Sequence, residues 1–357
     1  MMDATKSRIL PYRTSRVKGF KSIPRFSVGV VRPFRRRSGI FCLEEPMKRL
    51  IFLLLTLSLL LSACAPAGTE AAFYTFTDDL GREVSLSEPP ERVACLLGSF
   101  ADVWFLAGGS VIAAPDDAWE DFSLPMPEDA TVLGSAKNLS LELLLASEPD
   151  LILASANTAQ HLQWLDTLTA SGIPIACFDV ADFEDYLRLL KIATDLTGRP
   201  DLYERNGLAV KTQIEQARAL AQTHLSQSQP PKVLYLRLAA SGIRVKNSHG
   251  NVLGEMLRSL GCENIADTDA SLLENLSMEH ILAQDPDIIF LVPQGDDTEG
   301  TQKTFDAFVS DHPAWQTLTA VREGRVYTLE KALYSLKPNA RWGQAYLALV
   351  ELIWNEP

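Results

Sequence analysis

Apolar and polar positions recur along residues 73–353 with two different periods, one typical of strands and the other typical of helices. Short apolar runs such as "VACLL" and "LILAS" alternate with stretches in which apolar residues stand three or four positions apart. Strands that alternate with helices in this way predict α/β units with a largely parallel sheet. Two such units are predicted, over 73–182 and 229–357, and each is expected to form a Rossmann-like lobe.

Between the two predicted lobes, residues 183–228 carry a sustained helical pattern. Gly198-Arg199-Pro200 interrupts it, and Asp201 can cap the longer second part, which continues to Leu225 with mostly helical spacing of its apolar residues. A helix over 201–225 would be about 37 Å long at 1.5 Å per residue. We therefore expect a single long helix between the two lobes.

One motif occurs twice, 137 residues apart. "SLELLLASEPDLIL" begins at Ser140 and "SMEHILAQDPDIIF" begins at Ser277, and seven of the fourteen positions are identical. In both copies the serine can cap a helix, Pro149 or Pro286 ends it, and an aspartate leads into a strand. This connection is common in α/β folds, but the matched offsets from the first strand of each lobe favour two related lobes.

Charge separates the amino-terminal end from the rest of the chain. Residues 1–63 contain 13 of the 33 Lys and Arg but only 3 of the 45 Asp and Glu, so the remainder is strongly acidic. An acidic body repels nucleic acid and anionic membrane surfaces, and we therefore exclude a nucleic-acid-binding function.

A secretory signal explains the basic end. Met47 is followed by Lys48 and Arg49, an uncharged run over 50–61 and then Ser62-Ala63-Cys64. This order predicts a signal peptide over 47–63. Twelve mostly apolar residues are too few for a membrane span, which needs about 20, although a short membrane anchor is the alternative. Residues 1–46 are interpreted as an over-extended gene start or a disordered extension, and 64–72 as a tether.

The chain resembles the class III substrate-binding proteins of ABC importers, which capture iron siderophores, vitamin B12, haem or metal ions. The resemblance covers about 73–353 and rests on "LSAC", which is similar to the lipobox of bacterial lipoproteins, on "LLGSFADVWFLAGG", on the paired motif and on the helical linker. It implies lipidation of Cys64, which would anchor the protein at the outer face of the cytoplasmic membrane. It also implies a monomer that delivers a small-molecule metal complex to an ABC permease.

The resemblance further implies that Glu142 and Glu279, one in each copy of the motif, are the permease-docking residues. Exposed carboxylates in a first helical turn could bind arginines of a permease in charge-assisted hydrogen bonds. The alternative for each glutamate is a favourable interaction with the helix dipole alone.

A ligand cleft is expected between the two lobes, because open α/β sheets bind ligands at the carboxyl ends of their strands. The residues at these strand ends are therefore predicted to line the cleft. Arg237 ends an apolar strand in an acidic protein, and with Arg244 and Tyr334 it would suit an anionic iron chelate. The alternative for each arginine is a solvated or ion-paired side chain. Trp104 and Trp342 are predicted to be core residues. The predicted ligand-binding residues are Ser99, Phe100, Asp117, Trp119, Asn157, Arg237, Arg244, Lys246, Tyr334 and Lys337.

Other ligands and other classes of function are the alternatives. Bare zinc or manganese needs several converging His and carboxylate ligands, and only His161 and His249 fall near the predicted cleft, so no metal site and no covalently bound cofactor are predicted. Haem with an axial His249 or Met256 is one alternative ligand, and cobalamin is another. An enzyme or a surface adhesion module are the competing classes, but the sequence contains no G-x-S-x-G, P-loop or GxGxxG motif.

Overall fold

The structure is a computed structural model that describes residues 72–355, except for residues 275 and 296 and the side chain of residue 308. The predictions for residues 1–71, among them the signal peptide and Cys64, lie outside the described residues. No helix within the described part is both long and apolar enough to cross a membrane.

Strands and helices alternate in both halves of the described chain, as the sequence predicts. The strands are β1 Tyr74–Thr77, β2 Glu83–Leu86, β3 Val93–Cys95, β4 Val111–Ala114, β5 Thr131–Val132, β6 Gly134–Ser135, β7 Asn138–Leu139, β8 Leu151–Ser155, β9 Ile175–Phe178, β10 Lys232–Ala239, β11 Gly242–Lys246, β12 Glu263–Asn264, β13 Ile288–Pro293 and β14 Val326–Thr328. The helices are α1 Gly98–Leu106, α2 Asp117–Glu120, α3 Leu141–Ala146, α4 Ala159–Ala170, α5 Phe183–Leu196, α6 Pro200–Tyr203, α7 Ala209–Leu225, α8 Val252–Ser259, α9 Ile265–Thr268, α10 Ser271–Glu274, α11 Met278–Gln284, α12 Thr298–Phe305, α13 Thr319–Arg322, α14 Lys331–Tyr334 and α15 Trp342–Trp354.

The N-terminal lobe is built on a five-stranded parallel sheet with the order β5-β4-β3-β8-β9. The β1–β2 hairpin precedes it, as the alternating pattern predicts. This hairpin is tied to the sheet by Asp78, whose carboxylate accepts a hydrogen bond from the Cys177 amide at 3.1 Å. The predicted α/β character of this lobe is therefore confirmed.

The C-terminal lobe has a sheet with the order β11-β10-β13-β14, and β12 also pairs with β10. β10, β13 and β14 are parallel, whereas β11 pairs with β10 in the antiparallel direction. Most of the segment "SGIRVK", which contains the predicted ligand-binding residues Arg244 and Lys246, forms this edge strand. The alternation of Ile243, Arg244, Val245 and Lys246 is a strand pattern that the prediction overlooked.

The predicted long helix is present and has one irregularity. α6 and α7 are continuous through a π-helical turn, Glu204–Leu208, so the chain is helical from Pro200 to Leu225. Gly207 lies in this turn, and a Cβ atom there would stand 2.7 Å from the Leu187 side chain. The missing side chain thus lets the helix pack closely against α5.

One hydrophobic core runs through both lobes and the connecting helix. It joins side chains of the first sheet such as Val93, the inner face of α7 at Ile214, β10 at Tyr235 and the final helix at Trp342. Trp342 contacts Phe183 edge-to-face, with ring centroids 6.4 Å apart. The prediction that Trp104 and Trp342 are core residues is confirmed. Two smaller clusters lie on the remaining face of each sheet.

The repeated motif has the same structure in both lobes. Ser140 and Ser277 accept hydrogen bonds from the amides three residues later, at 3.2 Å and 3.4 Å, and so cap α3 and α11 as predicted. Each short helix then has one fully buried apolar anchor, Leu144 or Ile281. Both anchors occupy the same position of the repeat, and each packs into the smaller cluster of its own lobe.

The aspartate of the motif has a function that the sequence did not reveal. The Asp150 carboxylate accepts the Arg92 amide at 2.9 Å, and the Asp287 carboxylate accepts the Lys232 amide at 2.7 Å. Arg92 directly precedes β3, and Lys232 is the first residue of β10. The aspartate therefore fixes the register of two neighbouring parallel strands, which explains why Pro-Asp occurs at the same place twice.

Candidate ligand cleft and docking surfaces

A cluster of cations lies at the carboxyl end of β10, where the predicted cleft begins. Arg237 on β10 is directly opposite Arg244 on β11, and Tyr235 is directly opposite Lys246. Opposite residues, and residues two apart on one strand, share a face of a sheet. Since Tyr235 belongs to the core that is common to both lobes, the three cations continue the face of the sheet that is directed at the other lobe.

Arg237 is the least satisfied member of this cluster. Its terminal nitrogen donates to the Tyr235 hydroxyl at 3.3 Å, while its Nε atom is buried without a hydrogen-bond partner. A buried unpaired donor costs about 1–3 kcal/mol. Like charges on directly opposite residues of adjacent strands destabilise a sheet further. Folding alone therefore does not explain why two arginines face each other here.

Lys246 and Lys337 extend the cluster. Burial lowers the pKa of Lys246, and the positive charges of Arg237 and Arg244 lower it further. Burial also lowers the pKa of Lys337, which is close enough to Arg237 to be affected by its charge and which is partly stabilised by Asp179. Within the described residues, none of the four cations has a carboxylate within 4.0 Å.

Asp179 belongs to the other lobe, directly after β9, so Lys337 lies between the two carboxyl edges. The structure thus brings four of the predicted ligand-binding residues, Arg237, Arg244, Lys246 and Lys337, into one group. This arrangement can bind an anion with several acceptor oxygens.

The N-terminal side of the cleft is less accessible than predicted. Ser99 and Phe100 lie in the first turn of α1 and are buried. Phe100 packs edge-to-face on Phe178, with centroids 6.4 Å apart, and is therefore a core residue in this structure, contrary to the expectation of a ligand contact. The carbonyl of Ser99 is engaged by Asn339 of the other lobe at 2.9 Å.

Asp117 is a half-buried carboxylate at the carboxyl end of β4. One of its oxygens accepts the Gly98 amide at 3.0 Å and thereby caps α1. Burial raises the pKa of Asp117 to about 6, and the neighbouring Asp121 and Asp116 contribute in the same direction. Trp119, two residues later, is half-buried and packs against the shared core.

The loop after β8 contains Asn157, which is exposed, as a ligand-binding residue would require. His161 is fully buried beneath this loop, and its Nδ1 atom accepts the Ser155 amide at 3.0 Å. Burial lowers the pKa of His161 to about 4. A neutral, buried imidazole that holds the backbone is a structural residue and has no access to the cleft.

Two further expectations are corrected by burial. Tyr334 is 4% exposed and its hydroxyl donates to the Ala345 carbonyl at 3.2 Å, so it packs in the core and does not reach a ligand in this structure. Met256, considered as an axial haem ligand, is fully buried in the same core. His249 is exposed, and its Nδ1 atom is 3.9 Å from the Oε1 atom of Glu255. No group of three or more His, Cys, Asp or Glu side chains suited to a metal ion occurs among the described residues.

Polar contacts between the lobes were missed by the sequence analysis. Lys331 on α14 contacts both oxygens of Asp121 at 2.8 Å. Asn339, in a left-handed conformation with φ of 51°, donates to Asp102 at 2.8 Å as well as to the Ser99 carbonyl. The partners are more than 200 residues apart in the sequence, and no spacing rule connects such positions.

Both predicted docking glutamates are exposed. Glu142 and Glu279 lie in the first turns of α3 and α11. Each helix precedes a parallel strand, β8 or β13, and returns the chain to that strand's amino end. Its own first turn therefore lies towards the carboxyl edge of its sheet. Both carboxylates are thus on the side of the lobe that also carries the cleft residues.

A large depression at the opposite edge of the C-terminal sheet does not have the features of a ligand site. It has a volume of about 660 Å³ and is lined by residues that include Pro231, Asp287, Arg325 and Trp354. Two of its charged groups are already engaged, because Asp287 binds the Lys232 amide and Arg325 donates to the Ile353 carbonyl.

The family model for periplasmic binding proteins matches residues 93–333. The chain belongs to this family. The match begins at the first strand of the N-terminal sheet and ends in α14, so it includes both lobes, the connecting helix and both copies of the repeated motif. This periplasmic binding protein is a class III substrate-binding component of ABC importers, and members of the family bind substrates without transforming them.

Proteins similar to this periplasmic binding protein include a binding lipoprotein, a protein solved with staphyloferrin B and a haem-binding protein. The chain is 24% identical over 322 residues to the putative ABC transporter substrate-binding lipoprotein YhfQ of Bacillus subtilis, covering 84% of this chain and 96% of YhfQ. The structure of SirA of Staphylococcus aureus with staphyloferrin B matches with a TM-score of 0.61 and 21% identity, covering 79% of this chain and 98% of SirA. The apo haem-binding protein RhuT of Roseiflexus sp. RS-1 matches with a TM-score of 0.60 and 23% identity, covering 74% of this chain and 98% of RhuT. The predicted family and two-lobe α/β fold are therefore confirmed, whereas the ligand is not identified.

Proposed function

We propose that this protein captures an anionic iron chelate of the siderophore type and delivers it to the permease of an ABC importer. The group formed by Arg237, Arg244, Lys246 and Lys337 carries this proposal, because these cations of an acidic protein lie together and none of them has a carboxylate of the described residues within 4.0 Å. A relative that was solved with staphyloferrin B supports the choice of ligand class.

A chelate with several carboxylate or catecholate oxygens would satisfy these cations. Arginine forms two parallel hydrogen bonds with a carboxylate, and a desolvated cation gains more from such a bond than an exposed one. The ligand would also supply an acceptor for Arg237, whose Nε finds none in the described part of the chain. A neutral cofactor would leave the positive charges uncompensated.

Fluorescence titration of the purified protein with three probes tests the ligand class. The probes are ferric citrate as an anionic chelate, ferrioxamine B as a cationic chelate and cyanocobalamin. We expect quenching by the anionic chelate only, and a loss of affinity of at least about tenfold in Arg237→Ala, the cost of a charged hydrogen bond. The matched control is Arg205→Ala, an exposed arginine on the connecting helix. Equal affinity for all three probes, or an unchanged Arg237→Ala variant, would refute the assignment.

We infer that Glu142 and Glu279 are the permease-docking residues, which gives each lobe one exposed carboxylate on the cleft side. The double variant Glu142→Ala/Glu279→Ala should abolish uptake in the host and leave ligand affinity unchanged, since neither side chain supports the fold. Glu184→Ala/Glu299→Ala is the matched control, because both of these glutamates are exposed and also lie in first helical turns. Uptake that persists in the first double variant excludes the docking role.

We also propose that Cys64 is lipidated and holds the protein at the outer face of the cytoplasmic membrane. The order of charged, apolar and small residues before Cys64 supports this, and a relative is named a lipoprotein. In host cells Cys64→Ser should move the protein from the membrane fraction to the medium or periplasm, while Cys262→Ser, a change in the C-terminal lobe, should leave it in place. Membrane retention of Cys64→Ser would contradict the proposal.

A further inference from the structure

We propose that each docking helix is held in place by a side-chain clamp: Gln160 in the N-terminal lobe, and the His280–Asp269 pair in the C-terminal lobe. These are positioning residues for Glu142 and Glu279, and the inference rests on the proposed docking function. The two clamps use different side chains at different places in the sequence, so the repeated motif does not reveal them.

The N-terminal clamp is a double hydrogen bond from one amide side chain. Gln160, in the first turn of α4, accepts the Leu139 amide through Oε1 at 3.1 Å and donates to the Leu139 carbonyl through Nε2 at 3.1 Å. Leu139 directly precedes Ser140, the residue that caps α3. The clamp therefore fixes the backbone from which the helix with Glu142 begins.

The C-terminal clamp acts on the residue next to the docking glutamate. The Nδ1 atom of His280 is 2.7 Å from one oxygen of Asp269. The other oxygen of Asp269 accepts both the amide and the hydroxyl of Ser271. Because a carboxylate only accepts hydrogen bonds, Nδ1 carries the proton. The fixed carboxylate thus holds the imidazole and, with it, the first turn of α11.

This Ser-His-Asp group is not a nucleophile site. Ser271 and Asp269 both approach the same ring atom, Nδ1 of His280. Activation of a serine requires the carboxylate and the hydroxyl on different nitrogens of the ring. The geometry supports a positioning function only.

Short helices need such support. α3 has six residues and α11 has seven, and isolated helices of this length are unstable in water. Each has one fully buried anchor, Leu144 or Ile281, which leaves the first turn exposed. A permease that had to order this turn on binding would lose affinity to the entropy of ordering. The clamps remove that loss by holding both carboxylates in advance.

The test uses full-length variants in the host after deletion of the chromosomal copy. The probe is radioiron equilibrated with the spent medium of iron-starved host cells. Gln160→Met and His280→Ala should each lower uptake about fivefold, the factor that one net hydrogen bond contributes. His280→Asn should restore most of the uptake, because the asparagine Nδ2 can donate to Asp269 from nearly the position of Nδ1. Thermal midpoints of the purified variants within a few degrees of the parent confirm that they fold.

Matched controls remove a similar side chain elsewhere. Gln163→Met changes an exposed glutamine on α4, and His312→Ala changes an exposed histidine outside the docking helices. Both should take up radioiron at the parental rate. A loss in these controls that equals the loss in the clamp variants would overturn the positioning function.

The outcomes separate the clamps from the docking proposal. If Gln160→Met and His280→Ala transport normally while Glu142→Ala/Glu279→Ala does not, the clamps are excluded and docking stands. If the glutamate double variant also transports normally, docking itself is excluded. If His280→Asn is as poor as His280→Ala, the imidazole contacts the partner directly and the positioning function is excluded. Radioiron uptake that does not depend on the protein at all excludes an iron chelate as the ligand.

Discussion

Removal of the Arg237 charge should make the ligand-free protein more stable and, at the same time, a poorer binder. Arg237 on β10 lies directly opposite Arg244 on β11. Its buried Nε atom has no hydrogen-bond partner among the described residues. Both features favour a bound anion and disfavour the empty fold. Arg237→Met keeps an unbranched apolar stem while removing the charge and the unpaired donor.

The size of the effect follows from three contributions. Two unit charges about 8 Å apart repel by about 0.5 kcal/mol at the dielectric constant of water and by about 2 kcal/mol at an effective value of 20. Relief of the buried donor adds about 1–3 kcal/mol, and loss of the bond to Tyr235 subtracts about 0.5–1.5 kcal/mol. Together these contributions come to about 2 kcal/mol, and we expect the free energy of unfolding of Arg237→Met to rise by about that amount.

Urea denaturation of the ligand-free proteins at low and high salt measures this difference. The gain should shrink at 1 M salt, where the screening length falls to about 3 Å. Arg258→Met is the matched control, since Arg258 is paired with Glu255, and its loss should lower the unfolding free energy slightly or leave it unchanged. A lower stability of Arg237→Met, or a gain that does not depend on salt, would show that the cations do not repel one another in the empty cleft.

Three further predictions concern the backbone, pH and the contact between the lobes. Glu148 and Asp285 occupy the same position of the repeat with φ of 48° and 43°, so in chemical denaturation Glu148→Gly should raise the unfolding free energy by about 0.5–1 kcal/mol. Asp285→Gly should show no such gain, because it also loses two hydrogen bonds from Thr319, the first residue of α13. Since burial raises the pKa of Asp117 from 3.8 to about 6, the folded state holds this proton more tightly than the unfolded state, and that contribution to stability is lost as the pH rises from about 4 through 6. Asp117→Asn should therefore gain stability relative to the parent over this range in pH-dependent denaturation, and a constant difference would contradict the assignment. Lys331→Ala should speed amide hydrogen exchange at α2 and α14, where the contact with Asp121 joins the lobes, and unchanged exchange would show that this contact contributes nothing.

The sequence revealed the architecture because its signals are local. Ser140 and Ser277 were predicted as caps from their own helices, and the strands were predicted from apolar runs next to them. The edge strand β11 was not predicted because its alternation is short and contains two cations, Arg244 and Lys246.

The sequence predicts the part of the candidate site in the C-terminal sheet better than the rest of it. Cations at a strand end are visible in the sequence, and Arg237, Arg244 and Lys246 are indeed adjacent. Phe100 and Tyr334 were placed in the cleft because their sequence positions are close to strand ends or loops, but the direction of a side chain depends on packing partners far along the chain. Phe100 is directed at Phe178, and Tyr334 at the final helix.

The apolar core that is common to both lobes limits how far the lobes can separate. If the two lobes separated, large side chains such as Trp342 and Tyr346 would be exposed to water. This would cost about 1.5–3 kcal/mol for each buried apolar side chain. Thermal motion rarely supplies several such steps together. A change in the cleft that leaves this core closed therefore costs far less than separation of the lobes.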